Sequence, residues 1–426
     1  MKAIFCAIAI SLCCALALGQ AQYKVLWSFG GAPNDGSGPV SSLVLDSSGN
    51  LYGTTYGGGS SSAGTVFELT PGLDGTWTES ILYSFCPTGN SCVDGAYPAA
   101  GLVFDSAGNL YGTTEGGGAY YECSSGLAGC GTVFELSSPA SPGGMWTETV
   151  LYSFCAAPGC ADGFSPTSQL AIDASGRLYG TTGEGGNGHL PTGTVFELSP
   201  AHSGWTESVL YSFCSLGHGY ICPDGAMPLA GVTLGGSGNL YGTTKYGGSL
   251  QKIGEGSVYK LSPGSNGWTE SLVVGSGAGS EGGNPLGSVA LDKLGNLYST
   301  FSEGGTNFGG VFRYSLQNGK TTIFSFDGTD GGYPTAGMLL DSKNRALYGT
   351  TFIGGANGCG TVFKLASPAQ ETVLYSFDSQ PNYADGCGPL AAVILGKGGN
   401  LFGTTKIGGT STNCQFGCGV VFEVNP

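Results

Sequence analysis

Four short runs of β-type residues, separated by clusters of Gly, Asn, Asp and Ser, repeat along the chain. In one copy they are 99–105, Leu110–Thr114, 132–136 and 146–154. The last run, WTETVLYSF, alternates. Trp146, Glu148, Val150, Tyr152 and Phe154 share one side, and Thr147, Thr149, Leu151 and Ser153 the other. No segment sustains the 3.6-residue period of a helix. The second run carries the phrase G-N-L-Y-G-T-T, whose aromatic recurs at Tyr52, Tyr111, Tyr179, Tyr241, Tyr298, Tyr348 and Phe402. The pattern therefore predicts seven units of four strands, here lettered a to d.

Seven such units predict an all-β fold, a seven-bladed β-propeller with four antiparallel strands per blade. The chain ends predict how it closes. The first run, 23–29 (YKVLWSF), is a d strand with no a, b or c before it. The last, 419–424 (GVVFEV), is a c strand with no d after it. The N-terminal strand is expected to complete the C-terminal blade, 389–426, which would leave no open sheet edge.

Composition agrees once the repeat is known. Glycine accounts for 81 of 426 residues, well above the usual level of about 7%. Hydrophobic residues at 40% and aromatics at 11% are enough for a packed core. The glycines therefore punctuate short strands, and their number excludes a helical bundle.

Charge narrows the partners. A net charge of −15 with only 14 Lys and Arg lacks the basic footprint of a nucleic-acid binder. Anionic membrane surfaces are disfavoured for the same reason. Residues 1–21 read as a signal peptide: Lys2, an apolar run from Ala3 to Leu18, then Gly19 and Ala21 at the −3 and −1 positions. The mature chain, 22–426, is expected to be one propeller domain, secreted or periplasmic, without membrane insertion, and a monomer. Cys6, Cys13 and Cys14 leave with the leader, and an even number of cysteines remains for disulfides in an oxidising compartment.

The loops repeat too. D-G-x-x-P occurs at Asp35, Asp94, Asp162, Asp224, Asp330 and Asp385, with Glu281 in the fifth place. A ring of metal ligands is one possible role, but a residue repeated in every unit serves the unit, and Asp-Gly is a turn former. In an antiparallel blade the b–c and d–a loops emerge on one face. Cys86/Cys92, Cys155/Cys160 and Cys214/Cys222 lie in d–a loops, and Cys123/Cys130 and Cys414/Cys418 in b–c loops. Cys359 and Cys387, one in each loop type, could then meet. No C-x-x-C pair occurs, so zinc is not expected, nor is any cofactor.

Catalytic material is sparse. His189, His202 and His218 are scattered, and no G-x-S-x-G elbow is present. The carboxylates that break the repeat, Glu115, Glu184, Glu255 and Glu303, with Glu122 beside them, lie in b–c loops. A pair of the four could serve a polysaccharide hydrolase or lyase as acid and base; the alternative is ordinary loop acids. The same loop face carries Tyr97, Tyr120, Tyr121, Tyr220, Tyr246, Tyr333 and Tyr383, and also Tyr56, Phe164, Phe308 and Phe416. Rings with Gly, Ser and Asn neighbours suit stacking on a glycan or protein surface; the alternative is packing onto the blades.

The phrases G-N-L-Y-G-T-T, G-T-V-F-E-L and V-L-Y-S-F, with D-G-x-x-P between them, resemble the GloVer tandem-repeat, or choice-of-anchor, family of exported bacterial proteins. The resemblance covers nearly the whole mature chain and supplies no catalytic residues. Family members often end in surface-anchoring segments; with the last strand close to Pro426, release from the cell is expected. The combined expectation is a non-enzymatic binding or scaffold propeller that holds a glycan or an extracellular protein on its disulfide-braced face. The alternative is a polysaccharide-active enzyme using the loop glutamates.

Overall fold

The computed structural model describes residues 21–426, except 88, 90, 124–128, 142, 189, 218–219, 250–253, 276–281, 316–317 and 367–369. Residues 1–20 of the expected signal peptide, His189, His218 and Glu281 lie outside the described residues.

Seven four-stranded antiparallel sheets follow one another along the chain. In the second blade, strands Val103–Phe104, Leu110–Thr114, Thr132–Ser137 and Thr147–Ser153 pair in that order. In the seventh, Ile394–Leu395, Leu401–Thr405 and Val420–Asn425 are completed by Gln22–Ser28 from the other end of the chain. Tyr23 pairs with Val424 and Ser28 with Val420. The ring is thus closed by a strand from each terminus, as the end runs predict.

Two details differ from the simple pattern. Strand a of the second blade pairs over two residues, not seven, because the Pro and Gly ahead of it leave the ladder. The alternation of strand d is also broken. Val133 pairs with Tyr152, but Phe134 pairs with Val150, so Leu151 is bulged out of register. Leu151 then joins the apolar cluster shared with the third blade. The same shift recurs in the c–d pair of every blade.

The core lies between blades. Phe85 of the first blade meets Phe134 of the second edge-on at 5.1 Å. The contact recurs at Phe154–Phe196, Phe213–Tyr259, Phe326–Phe363, Phe377–Phe422 and Phe29–Phe67. Each such pair adds about 0.5–1.5 kcal/mol beyond its burial. These rings need room. A Cβ on Gly112 would lie 2.6 Å from Phe134 Cζ, so the glycine of G-T-T is a packing requirement. The first threonine of the phrase ties the blades together. Thr54 donates to the Ala100 carbonyl at 3.0 Å, and the equivalent bond occurs at all seven junctions.

The repeated aspartates serve the same junctions. Asp94 accepts from the Tyr83 hydroxyl and the Cys86 amide, both at 2.9 Å. Asp162, Asp224 and Asp385 do likewise with Tyr152, Tyr211 and Tyr375. From the next d strand a glutamate faces each turn: Glu79 to Asp35, Glu148 to Asp94, Glu207 to Asp162, Glu270 to Asp224 and Glu371 to Asp330. One oxygen of each glutamate is buried without a partner. Burial, reinforced by the facing aspartate, pushes Glu79 and Glu148 up to about 8 and the other three to about 7. The two exceptions place another donor there. Lys320 Nζ donates to the Gly282 carbonyl at 3.3 Å, and the Tyr23 hydroxyl donates to the Asp385 carbonyl.

Candidate functional site

Six disulfides brace the face formed by the b–c and d–a loops: Cys86–Cys92, Cys123–Cys130, Cys155–Cys160, Cys214–Cys222, Cys359–Cys387 and Cys414–Cys418. The pair Cys359–Cys387 joins a b–c loop to the following d–a loop, so the two loop types do share a face.

Around the axis this face has a fixed backbone with variable side chains. The residue before each repeated proline has a left-handed backbone: Gly38, Tyr97, Ser165, Met227, Asn284, Tyr333 and Gly388, with φ from 51° to 65°. Five are not glycine, which is costly unless the surroundings impose it. Hydrogen bonds do so. Tyr97 N donates to Ala63 O of the preceding blade at 2.7 Å, and Tyr97 O accepts from Glu115 N at 3.1 Å. The partners of these carbonyls are the residues after T-T: Tyr56, Glu115, Gly183, Lys245, Ser302, Phe352 and Lys406. Two rings of repeat-breaking side chains thus sit on one repeated frame.

The candidate carboxylates fall into two groups on this frame. Tyr56 donates to Glu115 Oε2 at 3.0 Å and its ring stacks on Tyr97 at 5.2 Å. Burial pushes the Glu115 carboxyl up, the Tyr56 bond opposes this, and the charge of Glu184 adds to it. Burial and the Glu115 charge push Tyr56 to about 12. In the fourth and fifth blades, Glu303 exchanges two backbone hydrogen bonds with Gly283, whose missing side chain leaves room for Glu255; a Cβ there would lie 2.6 Å from Glu255 Oε2. Glu122 is exposed on a loop.

The aromatics divide. Tyr120, Tyr121, Tyr220, Tyr246, Tyr333, Phe352 and Phe416 are exposed, and all belong to the disulfide-braced face. The large exposed apolar residues of the opposite turns are aliphatic or Met, as at Leu73, Met145, Leu234, Leu294 and Leu395. Tyr97 is held by Tyr56, Tyr383 packs into the core beside the last blade, Phe164 is buried and Phe308 packs against the core between the fifth and sixth blades. Lys245, Phe352, Lys406, Ser165, Met227 and Asn284 join the two rings without having stood out in the sequence. Their signal was present as variable slots inside T-T-x and D-G-x-x-P. Asn284 is 7% exposed and its Oδ1 has no partner.

The closed ring of seven sheets and its looped face define a seven-bladed β-propeller with a disulfide-braced loop surface. Its sequence places it further: the chain belongs to the Gloeobacter/Verrucomicrobia repeat family, whose model matches residues 14–139 and 237–426. No curated protein matches it. Among solved structures it is similar to a Bacteroides uniformis protein assigned as a 6-phosphogluconolactonase, at 13% identity and a TM-score of 0.48, over 78% of this chain and 83% of that one. It is also similar to the PQQ-bound aldose sugar dehydrogenase of Streptomyces coelicolor, at 11% identity and 0.45, over 76% and 92%. A Dyadobacter fermentans protein of unknown function follows at 10% and 0.44, over 95% and 98%. Likeness this distant says nothing about chemistry.

Proposed function

We propose that this is an exported, non-enzymatic binding propeller whose ligand, a glycan or a protein surface, docks on the disulfide-braced face. The observation that carries the reading is that all seven large exposed aromatic side chains among the described residues lie on that face. Tyr rings offer contact area and a hydroxyl at small entropic cost, which suits recognition surfaces. The disulfides limit the motion of loops that bury little core. Glycan-array and pull-down screening of the mature protein should find a ligand. Tyr121→Ala and Tyr220→Ala should weaken it while leaving thermal unfolding unchanged. Failure of both screens, with a positive hydrolase or lyase assay, would sink the proposal.

One observation favours a second reading. Glu115 is held by Tyr56, raised by burial and within reach of the Glu184 charge. A raised acid beside another carboxylate suits general acid catalysis. In that case polysaccharide cleavage should be detectable and should be lost in Glu115→Gln.

A further inference from the structure

The face opposite the disulfides holds a cavity of about 790 Å³ between the fifth and sixth blades. At four other junctions a tryptophan of strand d fills the corresponding space. Trp146 packs edge-on to Tyr52 at 6.2 Å, Trp205 to Tyr111 at 6.0 Å and Trp77 to Phe402 at 6.2 Å. Trp268 packs beside Tyr179. The sequence has no tryptophan at that position in the other three blades, and beside Tyr298 the space lies open. The walls that remain are apolar, among them Ile323, Leu340 and Leu365.

The rim is cationic. Lys293, Arg313 and Arg345 line it, in a chain with a net charge of −15. Arg313 stands where four other blades have Glu68, Glu135, Glu197 and Glu423. Its Nη2 donates to Asn296 Oδ1 at 3.1 Å, while its Nε is buried without a partner. Asp292 is the one acid among the described lining residues, so three cations face one carboxylate. Its carboxylate accepts from Leu294 N, Asn296 N and Asn296 Nδ2, at 2.9, 2.8 and 2.7 Å. An unpaired buried guanidinium N–H calls for an acceptor, and desolvated cations favour an anionic one. The volume lies in the range of small-molecule sites, about 300–1,000 Å³.

We propose that this cavity binds a small amphipathic anion, with its apolar body in the tryptophan-sized gap and its acidic head on Arg313 and Arg345. The site is separate from the aromatic face and stands or falls independently of it.

The test is fluorescence titration of the mature protein with 8-anilinonaphthalene-1-sulfonate. N-phenyl-1-naphthylamine serves as the uncharged control. The expected result is one saturable sulfonate site, with weaker binding of the control. Lys293→Gln/Arg345→Gln, two exposed turn positions, should weaken it about tenfold. Ala366→Trp, which refills the gap, should abolish it. Both variants should retain the parent melting temperature; should Ala366→Trp unfold, the exposed pair decides alone. No saturable binding by the parent protein, or binding unchanged in the exposed double variant, overturns the proposal.

Discussion

Thr404 in the last blade donates its hydroxyl to the carbonyl of Ser41 in the first, at 3.0 Å. These residues are 363 positions apart, yet the bond matches the one between neighbouring blades, as Thr181 to Ala230 at 3.1 Å. The closing junction is therefore built like the others. Thr404→Val and Thr181→Val should each cost about 1–2 kcal/mol, since a buried carbonyl loses its donor. Urea unfolding should give closely similar values. A much smaller loss at Thr404 would mean that the ring is not closed in solution.

The five half-buried glutamates make stability depend on pH. In the unfolded chain their carboxyls titrate near 4.5; in the folded protein Glu79 and Glu148 do so near 8, and Glu207, Glu270 and Glu371 near 7. Between those values the folded state holds protons that the unfolded state has released. Their stabilising contribution is complete below about 4.5 and is lost as pH rises through about 7–8. Melting temperature should therefore fall steadily from mild acid to mild alkali. Glu148→Gln keeps a neutral donor opposite Asp94 at every pH and should flatten the profile. A melting temperature that rises across this window would contradict the pairing.

Much of this was legible because a propeller writes its architecture seven times. Tyr52 and its six equivalents mark each b strand, and the unmatched runs at the two ends identify the closing strand. Five cysteine pairs were legible as neighbours within one loop, and Cys359 and Cys387, left over in two loop types of one face, do meet. The bulge at Leu151 was not legible, because a register shift leaves strict alternation in the sequence. Nor was the proton held at Glu148, since the facing Asp94 belongs to a turn more than fifty residues earlier. The rings around the axis were hidden for a related reason. Slots such as Lys245 and Asn284 differ from blade to blade, so they look like noise until the backbone shows that all occupy one frame.

The disulfides should differ in worth. Cys359–Cys387 spans 28 residues, whereas Cys86–Cys92 spans 6. Chain entropy assigns about 3.5 kcal/mol to the longer closure and about 2 kcal/mol to the shorter. Replacing both cysteines of a pair by Ser should therefore lower the melting temperature more for the first pair. It also frees the loop leading into the last blade, so limited proteolysis should cut there first. Equal losses for the two pairs would exclude loop length as the cause.

Gly112 offers a direct test of why the repeat keeps its glycine. A Cβ there would meet Phe134 Cζ at 2.6 Å and Leu102 Cδ2 at 3.0 Å, and both partners are fully buried. Neither can move aside cheaply in a close-packed junction. Gly112→Ala should cost about 1–3 kcal/mol. Gly31→Ala, with nothing within 4 Å, should be close to neutral. Phe134→Leu alone should destabilise by leaving a cavity. Combined with Gly112→Ala it should cost less than the sum, because the shorter side chain removes the clash. Strict additivity in that cycle would show that the glycine serves backbone conformation and not the ring beside it. The fifth blade sharpens the contrast: Ser299 replaces the glycine there, and Phe301 stacks on Phe312 at 6.5 Å in a rearranged junction. Ser299→Gly should therefore give no gain in stability, since the ring that would need the space is packed differently.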